Sequence, residues 1–168
     1  NFKIPNQNIK EGVKSTTWPA RLQNLTKTLL NSELSTNWEL WLDGGHNPAA
    51  GEAIASFIEN NWSDKRLYLI SGMMNSKDCK AYFQPIASLI ETLYTVKIPG
   101  ESQSMTAKQL ANVGSQLNIK STPFSSVKRA IEHIKKSNKK TRRILICGSL
   151  YLAGYILRIE EQKSVSKN

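Results

Sequence analysis

A mostly parallel α/β sheet with helices on both faces is the fold this sequence predicts. Three observations point to it. Short apolar runs alternate with longer stretches whose apolar residues recur at the spacing of one helix face. That strand–helix unit repeats four or five times, which is the pattern of parallel strands joined by crossover helices. The strands are apolar almost throughout, as strands covered on both sides are.

The elements follow in chain order. The first 38 residues are irregular, with Arg21 to Leu25 read as an edge strand. Glu39-Leu40-Trp41-Leu42-Asp43 is a strand running into the tight turn Gly44-Gly45, where two glycines let a ligand approach the backbone. A helix is predicted over 49–60, with Asn47 as its N-cap, Pro48 at its first position, and Ala50, Ala53, Ile54, Phe57 and Ile58 inward. Residues 66–70 form a second strand closed by Ser71-Gly72. Residues 81–90 are predicted as a helix with Phe83, Ile86, Ala87 and Ile90 on one face. The alternation of Leu93, Tyr94, Val96 and Ile98 predicts a third strand over 92–98, stopped by Pro99-Gly100. A helix over 106–117 starts from Thr106. A short strand covers 119–122, and a helix over 125–136 turns Val127, Ala130, Ile131 and Ile134 inward. The last strand is 143–147, closed by Gly148-Ser149, and the terminal helix is 151–161 with Tyr151, Leu152 and Leu157 read as core.

Length and composition bound the function. The 168 residues are about one domain's worth, 39% hydrophobic and 21% charged, which is too apolar for a disordered chain. No apolar run approaches the roughly 20 residues that cross a bilayer, and no charged-then-apolar leader opens the sequence. A membrane is therefore not an expected partner, and a cytoplasmic setting is expected. The chain opens on Asn1 rather than Met, as a fragment would. Two cysteines make neither a disulfide framework nor a zinc site, and Cys147, at the end of an apolar run, reads as a small buried hydrophobe.

The net charge of +10 is uneven. Residues 120–168 hold 12 Lys and Arg against three Glu, so this part carries +9 and the first 119 residues carry +1. The dense run is Lys135, Lys136, Lys139, Lys140, Arg142 and Arg143. It fits a polyanion patch. It fits better a solvated turn whose cations favour the preceding helix's C-terminus, because no aromatic interleaves the run to stack on bases. Nucleic acid is not an expected partner.

Absent motifs narrow the chemistry further. No Gly-x-Gly-x-x-Gly follows a strand, no complete phosphate loop occurs, and His46 and His133 are the only histidines. In a sheet of this kind ligands sit beyond the carboxyl ends of the strands, so the loops of interest are 43–48, 71–78, 99–105 and 148–151. The first is the richest. Asp43 ends a strand where its carboxylate can meet a ribose hydroxyl or a hydrated cation, and His46 lies near a helix N-terminus, where anions are favoured. The same residues also fit a purely structural turn, capped by Asn47 and tied by Asp43.

Four motifs carry a resemblance. Trp18-Pro19-Ala20-Arg21-Leu22-Gln23, Leu42-Asp43-Gly44-Gly45-His46-Asn47-Pro48, Gly72-Met73 with Lys77-Asp78, and Gly148-Ser149-Leu150-Tyr151-Leu152-Ala153-Gly154 come in the order found in folylpolyglutamate and dihydrofolate synthases. Those enzymes belong to the Mur ligase superfamily. The resemblance runs from about residue 9 to residue 159, and it is to the C-terminal domain alone. The family usually has Gly where Ala20 stands, Ala at Gly45, and often Asp at Ser76.

What the resemblance implies is a Rossmann-like domain of the Mur ligase C-terminal type over residues 18–168, with 1–17 as the end of an interdomain linker. The implied activity is ATP-dependent ligation of L-glutamate to a folate or dihydropteroate substrate through an acyl phosphate. An N-terminal ATPase domain would hold the triphosphate and Mg2+, and this domain would close over them. By motif, Arg21 would reach the ATP phosphates and His46 would stand near nucleotide and acceptor, both in catalytic positions. Asp43 would meet the nucleotide at its ribose, and Lys77 and Ser149 would bind the incoming amino acid's carboxylate. Trp18 and Pro19 would fix the chain as it leaves the other domain. The alternatives are another Mur-type amide ligase and a free-standing polyanion- or nucleotide-binding module.

Overall fold

A computed structural model of the chain describes residues 4–16, 18–25, 38–62, 64, 67–137 and 143–165. Six strands form one sheet: β1 (Gln23–Asn24), β2 (Glu39–Leu42), β3 (Leu67–Ser71), β4 (Thr92–Thr95), β5 (Ser121–Pro123) and β6 (Arg143–Cys147), in the order β1-β2-β6-β3-β4-β5. Every pairing is parallel except β1 with β2, so the sheet is mostly parallel with an antiparallel edge, as the alternating pattern predicts. The helices are α1 (Asn6–Ser15), α2 (Pro48–Asn61), α3 (Cys79–Phe83), α4 (Ala107–Gln116), α5 (Val127–Ser137) and α6 (Leu150–Val165).

Strand periodicity divides the core between two faces. Ile144 and Ile146 of β6, with Tyr68 and Ile70 of β3, pack under α5 (Val127, Ala130, Ile131, Ile134) and α6 (Leu152, Ala153, Ile156). Leu145 and Cys147, with Leu67 and Leu69, face the other way, against α2 (Ile54, Ile58), α3 (Tyr82, Phe83) and α4 (Leu110). All five residues of β3 and of β6 are buried, as central parallel strands must be.

This layout creates a crevice. β2 and β6 are neighbours, yet α2 leaves β2 for one face while α6 leaves β6 for the other. At such a switch point the loops part and leave a groove at the carboxyl edge of the sheet. The Asn47 side chain accepts a hydrogen bond from the Ala50 amide at 2.9 Å, with Pro48 following, so the predicted start of α2 holds. Thr106 and Gln109 make a reciprocal capping box at α4.

Several expectations are corrected. The helix predicted over 81–90 is one turn of α3 followed by a 3₁₀ segment, Gln84–Leu89, because Pro85 cannot continue an α-helix. The strand predicted over 92–98 stops at Thr95, although Val96 and Ile98 stay buried. Residues 6–15, within the segment expected to end an interdomain linker, form α1, which the sequence reading left irregular. Tyr151, read as core, is 56% exposed, whereas Leu152 is fully buried. Arg143 is not part of a solvated basic run. Its guanidinium is buried, pairs with Glu39 at 2.7 Å and Asp64 at 3.2 Å, and stacks over Trp62. Lys139, Lys140 and Arg142 of that run lie outside the described residues, as does Arg66 at the predicted start of β3.

Candidate functional site

The carboxyl ends of β2, β3 and β6 carry three loops, and a fourth segment, 18–22, crosses beside them. Asp43 joins two of these. It is buried, its Oδ2 accepts from the Leu22 amide at 2.8 Å and its Oδ1 from the Gly45 amide at 2.6 Å. Gly44 N–H reinforces the junction by donating to the Ala20 carbonyl at 2.7 Å. The carboxylate thus staples the segment that bears Arg21 onto the β2–α2 turn.

Arg21 itself is exposed. It is flanked by Ala20 at φ 57° and Leu22 at φ 40°, two non-glycine residues in the left-handed region, which costs about 1 kcal/mol each. A glycine at position 20 would not carry that cost. Among the described residues no carboxylate pairs with the Arg21 guanidinium.

The two glycines of the turn also serve its packing. A Cβ on Gly44 would collide with the Leu150 side chain. One on Gly45 would lie 2.7 Å from Asp43 Oδ1 and 2.9 Å from Ala50 Cβ. The exposed Leu150 side chain can move aside, whereas Gly45 is small so that the turn can pack against its own aspartate and α2. His46 follows, half-buried, with Nδ1 2.9 Å from the Gly44 carbonyl. A carbonyl only accepts, so Nδ1 carries the proton and Nε2 is the nitrogen left available.

The β6–α6 turn is stitched to the same rim. Gly148 N–H donates to the Gly45 carbonyl at 3.1 Å. Ser149 is buried and its Oγ accepts from the Tyr151 amide at 3.1 Å, which makes it a cap at the start of α6. Lys77, in the β3–α3 loop, is exposed and has no ion-pair partner among the described residues.

Two adjoining cavities result. One, of about 270 Å3, is lined by Trp18, Arg21, Asp43, His46, Asn47 and their neighbours. The other, of about 520 Å3, is lined by His46, Met74, Lys77, Gly148, Ser149, Leu150 and Tyr151. His46 and Leu150 line both. All five residues singled out from the sequence therefore stand on one rim. Met74, Leu150 and Tyr151 fall in the loops of interest 71–78 and 148–151, but the sequence did not single them out as cleft residues. Leu150 and Tyr151 are apolar or aromatic side chains in the first turn of a helix, a position where pattern reading expects core, yet both are exposed beside the cavity.

The thiol below the rim is held in its protonated form by its surroundings. Burial pushes the Cys147 thiol up to about 12, and the negative charge of Asp43 adds to the rise. Cys79 is pushed up to about 11, again chiefly by burial and then by Asp78. Among the described residues no three His, Cys, Asp or Glu side chains come together as metal ligands. None of the helices among the described residues is long and apolar enough to cross a membrane.

The family model for the dihydrofolate synthetase C-terminal domain matches residues 26–159. The chain belongs to this family. A folylpolyglutamate synthase from Lacticaseibacillus casei is 27% identical over 150 residues, which cover 89% of this chain and 31% of the relative. A probable dihydrofolate synthetase from Schizosaccharomyces pombe is 23% identical over 166 residues, covering 94% and 38%. Among solved structures, E. coli FolC in complex with ADP, without folate substrate, superposes with a TM-score of 0.78 at 20% identity, over 98% of this chain and 36% of that one. A bifunctional folylpolyglutamate synthase/dihydrofolate synthase with Mn, AMPPNP and L-glutamate bound gives 0.73 at 20%, over 94% and 35%. This member of the dihydrofolate synthetase C-terminal domain family thus spans about a third of the length of those relatives.

Proposed function

We propose that this chain is the acceptor-side domain of an ATP-dependent ligase that adds L-glutamate to a folate or dihydropteroate substrate. The observation that carries the reading is the gathering of Arg21, Asp43, His46, Lys77 and Ser149 from separate loops onto one rim, with both cations free of carboxylate partners among the described residues. Free cations beside a crevice suit polyanionic and carboxylate ligands. The names of the relatives, and the nucleotide and L-glutamate bound to two structural neighbours, favour the folate branch.

The reaction runs in two displacements. A carboxylate oxygen of the folate-side substrate forms a bond to the γ-phosphorus of ATP, the bond to the bridging oxygen breaks, and ADP leaves. The glutamate amine then attacks the acyl phosphate carbonyl, the C–O bond breaks, phosphate departs, and the nitrogen loses a proton. Arg21 is assigned to the phosphoryl group in flight, where a planar guanidinium stabilises developing charge. Asp43 uses two lone pairs on Leu22 and Gly45 and has others for a ribose hydroxyl. His46, between the two cavities, stands near nucleotide and acceptor. Lys77 and the α6 N-terminus with Ser149 receive the glutamate carboxylate. The residues described here do not make a metal site, so no step is assigned to Mg2+ on this domain. A preceding ATPase domain and the triphosphate would hold it.

Arg21→Ala in the full-length protein tests this. Loss of a charge-stabilising donor should lower kcat by roughly a hundredfold, with the melting temperature unchanged because Arg21 is exposed and has no carboxylate partner among the described residues. Near-normal turnover would remove the assignment.

A further inference from the structure

The floor of the larger cavity is built on one hydroxyl. β3 reads Leu67-Tyr68-Leu69-Ile70-Ser71 and is buried along its whole length, so Ser71 is a polar side chain at the end of an apolar strand. It is fully buried, and its Oγ donates to the Cys147 carbonyl at 2.9 Å across 76 residues of sequence. The chain turns immediately after that carbonyl. Gly148 takes φ 102°, a region closed to ordinary side chains, and a Cβ there would collide with Ser71 Oγ and lie 3.0 Å from Met73 Cγ. The backbone of the turn therefore rests directly on the serine hydroxyl. From that seat the Gly148 amide points to the Gly45 carbonyl, and the next residue is Ser149, the cap of α6.

We propose that Ser71 is a positioning residue: by holding the Cys147 carbonyl under Gly148 it sets where Ser149 and the first amides of α6 stand in the 520 Å3 cleft. Ser71 does not line that cleft, so it acts only through the turn. The inference rests on the reading of the cleft as the glutamate subsite.

The consequence is selective. Losing the bond frees the Cys147 carbonyl to rotate and lets the turn sink into the space of the hydroxyl. The α6 N-terminus then moves relative to Lys77, while Arg21 and Asp43, which are tied to each other through Leu22, keep their place. Steady-state kinetics of Ser71→Ala in the full-length protein should show KM for L-glutamate raised about tenfold, the size expected from one buried hydrogen bond, with KM for ATP within twofold of normal. A purely structural role would lower the active fraction and the melting temperature and leave both KM values alone. That result, or a parallel rise in both KM values, overturns the proposal.

Lys77→Ala measured alongside separates the two levels. A raised glutamate KM in Lys77→Ala with none in Ser71→Ala refutes the positioning role alone. An unchanged glutamate KM in both refutes the cleft assignment itself. If Ser71→Ala folds poorly, Ser71→Thr and Ser71→Cys decide the matter. The hydroxyl variant should keep the lower glutamate KM and the weakly donating thiol the higher, and equal values refute the claim.

Discussion

Asp43 is at once the residue most expected to touch ligand and one of the most heavily used by the fold. Both its oxygens accept part-buried backbone amides, one from Leu22 and one from Gly45. Replacing it leaves two N–H groups without partners, and each orphaned buried donor costs about 1–3 kcal/mol. Asp43→Asn keeps one acceptor and turns an NH2 group toward an amide, so it should cost about as much as losing one of the two bonds. Urea unfolding should show Asp43→Ala destabilised by about 2–4 kcal/mol and Asp43→Asn by roughly half of that. Loss of ligation in either variant then mixes two causes, because Arg21 rides on the segment that Asp43 holds. Wild-type stability in Asp43→Ala would mean that the amides find water instead and that the residue is free for ligand alone. Arg21 gives the cleaner functional test for this reason.

Elements were legible where local rules and packing agree. α2 begins at its Asn47 cap and Pro48, and the buried apolar strands lie where alternation and turn residues put them. Legibility failed where a single residue overrules the pattern. Ala87 and Ile90 fit a helix face, but Pro85 tightens that stretch into a 3₁₀ segment. The candidate site was nominated by motif order, since spacing alone left Asp43 and His46 open between ligand binding and turn capping. Ser71 and Gly148 were read only as residues that close two strands, because the Ser71–Cys147 bond, 76 residues apart in sequence, has no local signature. Gly51 shows the same conflict inside α2. Helix propensity favours alanine there by about 1 kcal/mol. Yet a Cβ would collide with the Tyr82 carbonyl and lie 3.1 Å from its carbon, where α2 crosses α3, and backbone cannot move aside as a flexible side chain can. Gly51→Ala should therefore destabilise by about 1–3 kcal/mol, read as a lower thermal midpoint. A midpoint above wild type would show that α2 can lift off α3 at little cost.

At the scale of the whole molecule, the rim depends on a dry interior directly beneath it. Cys147, Tyr82 and Ser71 lie under the crevice, all buried to 1% exposure or less, and Asp43 caps them from above. The Tyr82 hydroxyl is buried without a hydrogen-bond partner of good geometry, and burial raises its pKa well above the ordinary value, with the neighbouring Cys147 adding to the rise. These groups are neutral when folded and ionise more readily when unfolded. A folded-state pKa above the unfolded one means that the native state binds more protons through that window, so stability falls as pH rises. For Cys79 the window runs from 9.0 to about 11, and for Cys147 from 9.0 to about 12. Below pH 9 neither thiol contributes to a slope. Urea midpoints measured from pH 7 upward should therefore stay level until about 9 and decline above it, and replacing both cysteines by alanine should flatten the decline that Tyr82 does not account for. Native-state alkylation should report the same dryness: both thiols resist iodoacetamide at pH 8 and react once urea opens the core. Rapid labelling of Cys147 in the folded chain would mean that water reaches the base of the crevice. The β6–α6 turn would then lack the rigid seat from which it presents Ser149.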